Sequence, residues 1–174
     1  MPVRNITKGL LLGLLLVFAA VLYALAPAGS RPFTTADKVI VEKSAHKMIL
    51  LKNGVALRTY TVSLGHEPVG PKSRAGDHRT PEGTYRLDWR NPQSKFHLSL
   101  HVSYPNLQDM RTSTRDGLQP GGDIMIHGLQ NGLGWIGRFH RLVDWTDGCI
   151  AVTNSEMDQI WRAVPDGTPI KIRP

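Results

Sequence analysis

The sequence predicts a mainly β domain of the β-rich α+β class, with one or two short helices, preceded by an N-terminal hydrophobic helix. Short runs rich in β-branched and aromatic residues alternate with turns that contain Gly and Pro. Asn53-Gly54 lies between two such runs, which is a strong hairpin signal. Thr153 and Glu156 have the spacing of a capping box and indicate a helix. The chain of 174 residues is long enough for one well-packed domain.

The N-terminal segment, residues 1–30, is typical of an export signal or a membrane anchor. Arg4 and Lys8 precede an uninterrupted apolar run from Leu10 to Ala26. This run is at the short end of the length that spans a membrane, and residues 24–26 resemble a cleavage site. An uncleaved anchor and a removed signal therefore both stay open.

The chain after the apolar run is expected outside the cytoplasm, because the basic residues Arg4 and Lys8 keep the N-terminal end of that run in the cytoplasm. We expect residues 31–37 to be a linker and residues 38–174 to be the folded domain. Its predicted location is the cell envelope, periplasmic or extracytoplasmic, either membrane-anchored or secreted.

The predicted elements follow one another along the domain. The strands are an initial run from Lys38 and then 48–52, 55–64, 83–89, 96–105, 123–128, 149–153 and 168–172. Residues 106–117 are expected to hold a short helix, and a second helix follows Thr153. Residues 65–83 are predicted to be a long loop, and residues 129–145, with three glycines and no clear period, a mobile one.

The net charge of +7 limits the classes of partner. A basic surplus suits an anionic envelope, although a soluble basic surface explains it equally well. No Lys/Arg cluster interleaved with aromatic residues is present, so nucleic acid is not an expected partner. Membrane contact is expected only through the N-terminal segment, if it is uncleaved.

Cys149 is the only cysteine in the chain. It is either a small buried residue of the core or a reactive thiol. Outside the cytoplasm an unpaired thiol is easily oxidised, so an idle one is unfavourable. Gly148 precedes it and would let a substrate approach the backbone closely.

His127 is the candidate base for this thiol. It ends the apolar run 124–126 and is followed by Gly128. If the strands before and after the 129–145 loop are neighbours, His127 and Cys149 meet at one end of the sheet, with the loop as a lid. An imidazole there takes the thiol proton and leaves a thiolate–imidazolium pair.

A metal site is not expected from the sequence. His97 and His101 share one face of a predicted strand, but zinc needs a third ligand that the sequence does not specify. We therefore expect no metal and no organic cofactor.

Four short motifs occur in order: TPEG at 80–83, SYPN at 103–106, IHG at 126–128 and TDGC at 146–149. As an ordered set they resemble the L,D-transpeptidase (YkuD-type) catalytic domain, over roughly residues 37–173. The resemblance implies a YkuD-like β-sandwich or mixed sheet. It also implies roles for four residues: Cys149 as nucleophile, His127 as base, the Gly128 carbonyl as the group that orients the imidazole, and backbone N–H groups around Gly148 as the oxyanion hole.

Two positions depart from the common family pattern, because Asp147 replaces a histidine and Ala151 replaces an arginine. A carboxylate at 147 opposes thiolate formation unless it pairs with a cation. The candidates for that pairing, and for the missing substrate arginine, are Arg138, His140 and Arg141. Together with Asp147 itself, Trp135 and Asn154, they complete the set of expected substrate-binding residues.

The resemblance implies peptidoglycan as substrate. Cys149 would attack the stem tetrapeptide between meso-diaminopimelate and the terminal D-alanine, release D-alanine and hold the rest as a thioester. An amine acceptor makes the chain a transpeptidase that cross-links or anchors proteins, whereas water makes it an L,D-carboxypeptidase or an amidase. A non-catalytic wall-binding module with an inert Cys149 is the alternative from another class.

Overall fold

The computed structural model describes residues 34–174. The predicted N-terminal helix and most of the predicted linker lie outside the described residues. Within residues 34–174, no helix has the length and apolarity that crossing a bilayer requires.

The described residues form eight strands, two α-helices and one 3₁₀ segment. The strands are β1 Lys38–Glu42, β2 Lys47–Lys52, β3 Val55–Thr61, β4 Gly83–Asn91, β5 Ser99–Val102, β6 Met125–His127, β7 Ile150–Ala151 and β8 Thr168–Arg173. The helices are α1 Leu107–Arg115 and α2 Asn154–Ala163, and the 3₁₀ segment covers Gly134–Leu142.

All eight strands belong to one mixed sheet, in the order β3-β2-β1-β8-β4-β5-β6-β7. The β1–β8 and β6–β7 pairs are parallel, and the other pairs are antiparallel. The chain beyond β3 then pairs with β7 through two backbone hydrogen bonds between Ser63 and Ala151, 3.0 and 2.9 Å long. The sheet therefore curls until its first and last strands are joined, and the predicted mainly β fold with a mixed sheet is confirmed.

The β2–β3 hairpin has the turn that the sequence predicts. Asn53 and Gly54 both have positive φ, 50° and 78°, as a two-residue type I′ turn requires. This conformation matches the right-handed twist of the two strands and fixes their register.

Helix α2 covers one face of the sheet. Its capping box is formed as predicted, with the Thr153 hydroxyl accepting from the Glu156 N–H and the Glu156 carboxylate accepting from the Thr153 N–H. Met157, Ile160 and Ala163 are buried in the core, spaced as one apolar face of a helix.

The 129–145 segment has more regular structure than the sequence predicts. It forms 3₁₀ turns over Gly134–Leu142, interrupted at Gly137, where φ is 52°. A 3₁₀ helix has three residues per turn and is short. The apolar residues of this segment therefore do not recur with the 3.6-residue period by which a helix is predicted from sequence.

The long loop between β3 and β4, residues 62–82, is held by a buried lysine. Lys43 is 2% exposed, and its Nζ donates to the carbonyls of Gly70 (2.5 Å) and Thr80 (2.9 Å) and to the Glu82 carboxylate (2.8 Å). An ammonium group has three protons, so these three acceptors use all of them. The loop is thereby fixed against the sheet although it contains no strand.

Candidate functional site

Strands β6 and β7 bring His127 and Cys149 to one place. The two strands pair in parallel, with Ile126 opposite Ile150 and His127 opposite Ala151. His127 and Cys149 both line one cavity of about 360 Å³. The expected meeting of a histidine and a cysteine at one end of the sheet is thus what the structure shows.

The His127 ring is fixed by a hydrogen bond and by aromatic contacts. It is 4% exposed, and its Nδ1 lies 2.7 Å from the carbonyl oxygen of Gly128. Because a carbonyl oxygen only accepts, Nδ1 carries the proton and Nε2 of the neutral ring has a free lone pair. The rings of Phe96 and Trp145 lie 4.7 and 5.7 Å from the His127 ring, centroid to centroid, and restrict its rotation.

Burial lowers the pKa of His127, and the hydrogen bond to Gly128 opposes this only in part. Its ring is therefore neutral at rest, which suits a group that is to accept a proton.

The thiol of Cys149 is partly buried at the floor of the cavity. The backbone N–H of Met125 donates to its sulfur at 3.4 Å, and the sulfur lies 3.6 Å from the carbonyl oxygen of Asp123. Burial raises the pKa of Cys149, and the charges of Asp147 and Asp123 raise it further, against the effect of the Met125 hydrogen bond.

The two pKa shifts favour a neutral thiol beside a neutral imidazole. Burial therefore opposes the thiolate–imidazolium pair expected from the sequence, and that pair stays a prediction. The physical reason is desolvation, which penalises both charged forms.

Gly148 serves the site through its backbone conformation. Its φ is 123°, and a Cβ there would lie 2.6 Å from the carbonyl oxygen of Arg79. Its N–H donates to the Thr146 hydroxyl at 3.2 Å, so in this conformation it is not a free oxyanion donor. The glycine lets the chain pass close to the β3–β4 loop immediately before Cys149.

Asp147 pairs with a residue that the sequence did not single out. Its carboxylate lies 2.8 Å from Nδ1 of His78, and it is 83% exposed. His78 lies two residues before the TPEG motif, and that proximity is the one sequence signal for it. The expected pairing of Asp147 with Arg138, His140 or Arg141 is wrong, because the 3₁₀ segment directs these side chains elsewhere.

Arg141 and His140 have structural contacts. Arg141 bonds the Glu156 carboxylate and ties the 3₁₀ segment to helix α2. His140 is buried, and its Nδ1 lies 3.1 Å from the Ser63 hydroxyl and 3.3 Å from the indole nitrogen of Trp145. His140 supports the wall that Trp145 contributes to the cavity, and neither His140 nor Arg141 lines that cavity.

The other expected substrate-binding residues also lie away from the thiol. Arg138 and Asn154 line a separate polar groove of about 730 Å³ beside α2. Trp135 is 81% exposed and is outside the lining of the Cys149 cavity. The Asn154 side chain accepts from the Leu129 N–H at 2.8 Å, so it positions the chain directly after Gly128.

The arrangement contains the groups that acyl transfer by a cysteine uses. It combines a thiol, an oriented neutral imidazole and a cavity that both residues line. Phe96, Met125 and Asp123 also line the cavity, and no motif in the sequence points to them.

Comparison with known proteins agrees with this geometry. The sequence model of the YkuD family, described as the L,D-transpeptidase catalytic domain, matches residues 36–172. YafK of Escherichia coli K12, whose name provisionally places it among the L,D-transpeptidases, is 30% identical over 111 residues, which are 62% of this chain and 37% of YafK.

Two solved structures share the fold. The helical cell shape determining protein Pgp2 of Campylobacter jejuni has a TM-score of 0.61 and 25% identity, over 78% of this chain and 46% of that one. The L,D-transpeptidase of Xylanimonas cellulosilytica has a TM-score of 0.51 and 17% identity, over 84% and 66% of the respective chains. The chain thus spans less than half the length of YafK and of Pgp2. On the match over residues 36–172, the chain belongs to the L,D-transpeptidase catalytic-domain family.

Proposed function

We propose that the chain is a cysteine acyltransferase that acts on peptidoglycan stem peptides. One observation carries the proposal: the Gly128 carbonyl holds Nδ1 of His127 and leaves Nε2 free, and His127 and Cys149 line the same cavity. Membership of the family supplies the substrate class.

The first half of the reaction forms a thioester. The Cys149 sulfur attacks the carbonyl carbon between meso-diaminopimelate and D-alanine, while its proton passes to Nε2 of His127. The tetrahedral intermediate collapses, the C–N bond breaks, and the imidazolium returns the proton to the departing D-alanine amine. Acid–base assistance by one positioned imidazole in both directions contributes roughly 10²–10⁴-fold in such reactions.

The second half decides the product. An amine, such as the side chain of a second stem peptide or a wall-anchored protein, attacks the thioester and gives transpeptidation. Water in the same position gives hydrolysis, as an L,D-carboxypeptidase or an amidase. We assign transfer as the main reaction and hydrolysis as its competitor.

The proposed location is the cell envelope, with residues 1–30 as membrane anchor or removed signal. Peptidoglycan is a polymer of that compartment, and the net charge of +7 suits an anionic surrounding.

Intact-mass spectrometry tests the proposal. The full chain, purified in detergent, is incubated with a disaccharide-tetrapeptide or with a carbapenem. We expect a covalent adduct on the wild-type chain, no adduct on Cys149→Ala, and slower formation on His127→Ala. His101→Ala is the matched control, because its Nδ1 is also hydrogen-bonded, to Asp88 at 2.6 Å, but outside the cavity.

The products separate the alternatives. Free D-alanine with a cross-linked dimer indicates transfer, and D-alanine with tripeptide alone indicates hydrolysis. Absence of an adduct with both reagents on correctly folded wild-type chain would refute catalysis and favour the non-catalytic wall-binding module.

A further inference from the structure

Three potential metal ligands lie together at the rim of the Cys149 cavity. One ligand atom each from His66, His78 and Asp147 lies within 4.8 Å of the other two. All three side chains are exposed, and Asp147 also lines the Cys149 cavity. Within residues 34–174 this is the one group of three such side chains at that separation.

The backbone holds the three residues in place. The His66 N–H donates to the Thr146 carbonyl at 3.0 Å, directly before Asp147, and the Glu67 N–H donates to the His78 carbonyl at 3.1 Å. The first bond joins the β3–β4 loop to the turn before Cys149, and the second joins two parts of that loop. Main-chain contacts therefore fix the backbone of the three residues. Binding of an ion then costs only the conformational entropy of their exposed side chains.

The donor set selects a class of ion. Two imidazoles and one carboxylate suit Zn²⁺ and similar transition metals, whereas Mg²⁺ and Ca²⁺ prefer all-oxygen sites. Nδ1 of His78 and the Asp147 carboxylate lie 2.8 Å apart, so two of the three donors already face each other. Zinc requires donors at roughly 2.0–2.2 Å, and the three exposed side chains are free to rotate toward a shared ion.

We propose that His66, His78 and Asp147 form a three-ligand site for a divalent ion of the zinc class. Three protein ligands leave one or two coordination positions, open to water or to a carboxylate of a bound peptide. The ion would place positive charge at the mouth of the cavity, at the position where Asp147 departs from the common family pattern. Cys149 is not one of its ligands.

Isothermal titration of the full chain in detergent with zinc sulfate tests the site. We expect one equivalent to bind, and at least tenfold weaker binding for His66→Ala and for His78→Ala. His101→Ala is the control, because it removes a histidine hydrogen-bonded to one aspartate, Asp88. Residues 1–33 contain no His, Cys, Asp or Glu and add no competing ligand. Affinity within twofold of wild type in His78→Ala, or an equal loss in His101→Ala, would overturn the proposal.

A second experiment separates this site from the thiol. Cys149→Ser is expected to bind zinc as tightly as the wild-type chain, and the Co²⁺-loaded wild-type chain to lack a sulfur-to-cobalt charge-transfer band. Loss of binding in Cys149→Ser, or the appearance of that band, would show that the thiolate holds the ion and would refute the three-ligand site. Circular dichroism on each variant verifies that the fold is intact, so that every change in affinity is a change at the site.

Discussion

Replacement of Lys43 by methionine tests whether the buried ammonium fixes the β3–β4 loop. Methionine keeps most of the side-chain volume and removes the three hydrogen bonds to Gly70, Thr80 and Glu82. Removal of one partner of a buried ion pair costs about 3–5 kcal/mol, because the remaining charge is left without compensation. The Glu82 side chain is 17% exposed and regains some water, so we expect the lower end, about 3 kcal/mol.

Urea unfolding followed by circular dichroism measures this loss. A domain of this size has a free energy of unfolding of roughly 5–15 kcal/mol, so the variant stays folded at 25 °C. The double variant Lys43→Met, Glu82→Gln also removes the Glu82 carboxylate that would otherwise lack a partner. Its free energy of unfolding should be about 1–2 kcal/mol higher than that of Lys43→Met. Lys47→Met, on an exposed residue of β2, is the control and should change stability by less than about 0.5 kcal/mol.

Acylation of Cys149 should also be slower in Lys43→Met than in the wild-type chain. The Thr80 hydroxyl accepts from the Gly65 N–H at 3.0 Å, and the Arg79 carbonyl lies against Gly148, so the loop supports the turn that presents the thiol. If Lys43→Met lowers the free energy of unfolding by less than about 1 kcal/mol, or if Lys47→Met lowers it by the same amount, Lys43 does not fix the loop.

Three further predictions concern the site and its supports. Because burial and then Asp147 raise the pKa of Cys149, its alkylation by iodoacetamide should reach half its maximal rate above about pH 8.5, and a midpoint below pH 7 would contradict this. Asn154→Ala leaves the Leu129 N–H without its acceptor and should cost about 1–2 kcal/mol in urea unfolding and slow adduct formation; an unchanged rate would show that Asn154 does not position the chain beside His127. Burial, followed by the charge of Arg141, lowers the pKa of His140 to about 4, so the folded chain holds this ring neutral while the unfolded chain protonates it below about 6.5. The contribution of the neutral His140 ring to stability is therefore complete above pH 6.5 and is lost as the pH falls toward 4. His140→Asn should flatten this pH dependence of the unfolding free energy, and an identical slope would exclude His140 as its source.

Local patterns in the sequence were sufficient for the elements that depend on near neighbours. Asn53-Gly54 predicts its hairpin because positive φ is a property of those two residues, and Thr153 with Glu156 predicts its helix because the capping bonds span three positions. The strand before His127 and the turn before Cys149 are equally local. The ordered motifs supplied the rest of the family identification.

Features that depend on distant contacts were not predictable in this way. His78 becomes the partner of Asp147 only because the β3–β4 loop folds over the turn before Cys149. The expected cations, Arg138, His140 and Arg141, lie nearer to Asp147 in sequence, but the 3₁₀ segment carries them to α2, to the core or to the groove. Sequence proximity is a poor guide where a loop, and not a strand register, sets the direction of a side chain.

The closure of the sheet by the chain after β3 has a kinetic consequence. Leu64 donates its N–H to the Asp144 carboxylate, 80 positions away, and His46 contacts the same aspartate from 98 positions away. Contacts between such distant segments form slowly, because the entropic cost of closing the long intervening loop arises before the contact contributes any stabilisation. Partly folded chains would therefore contain the β2–β3 hairpin but no assembled thiol site. If Cys149 reacts with a carbapenem as proposed, the rate at which that reactivity appears during refolding would report how fast the whole domain assembles.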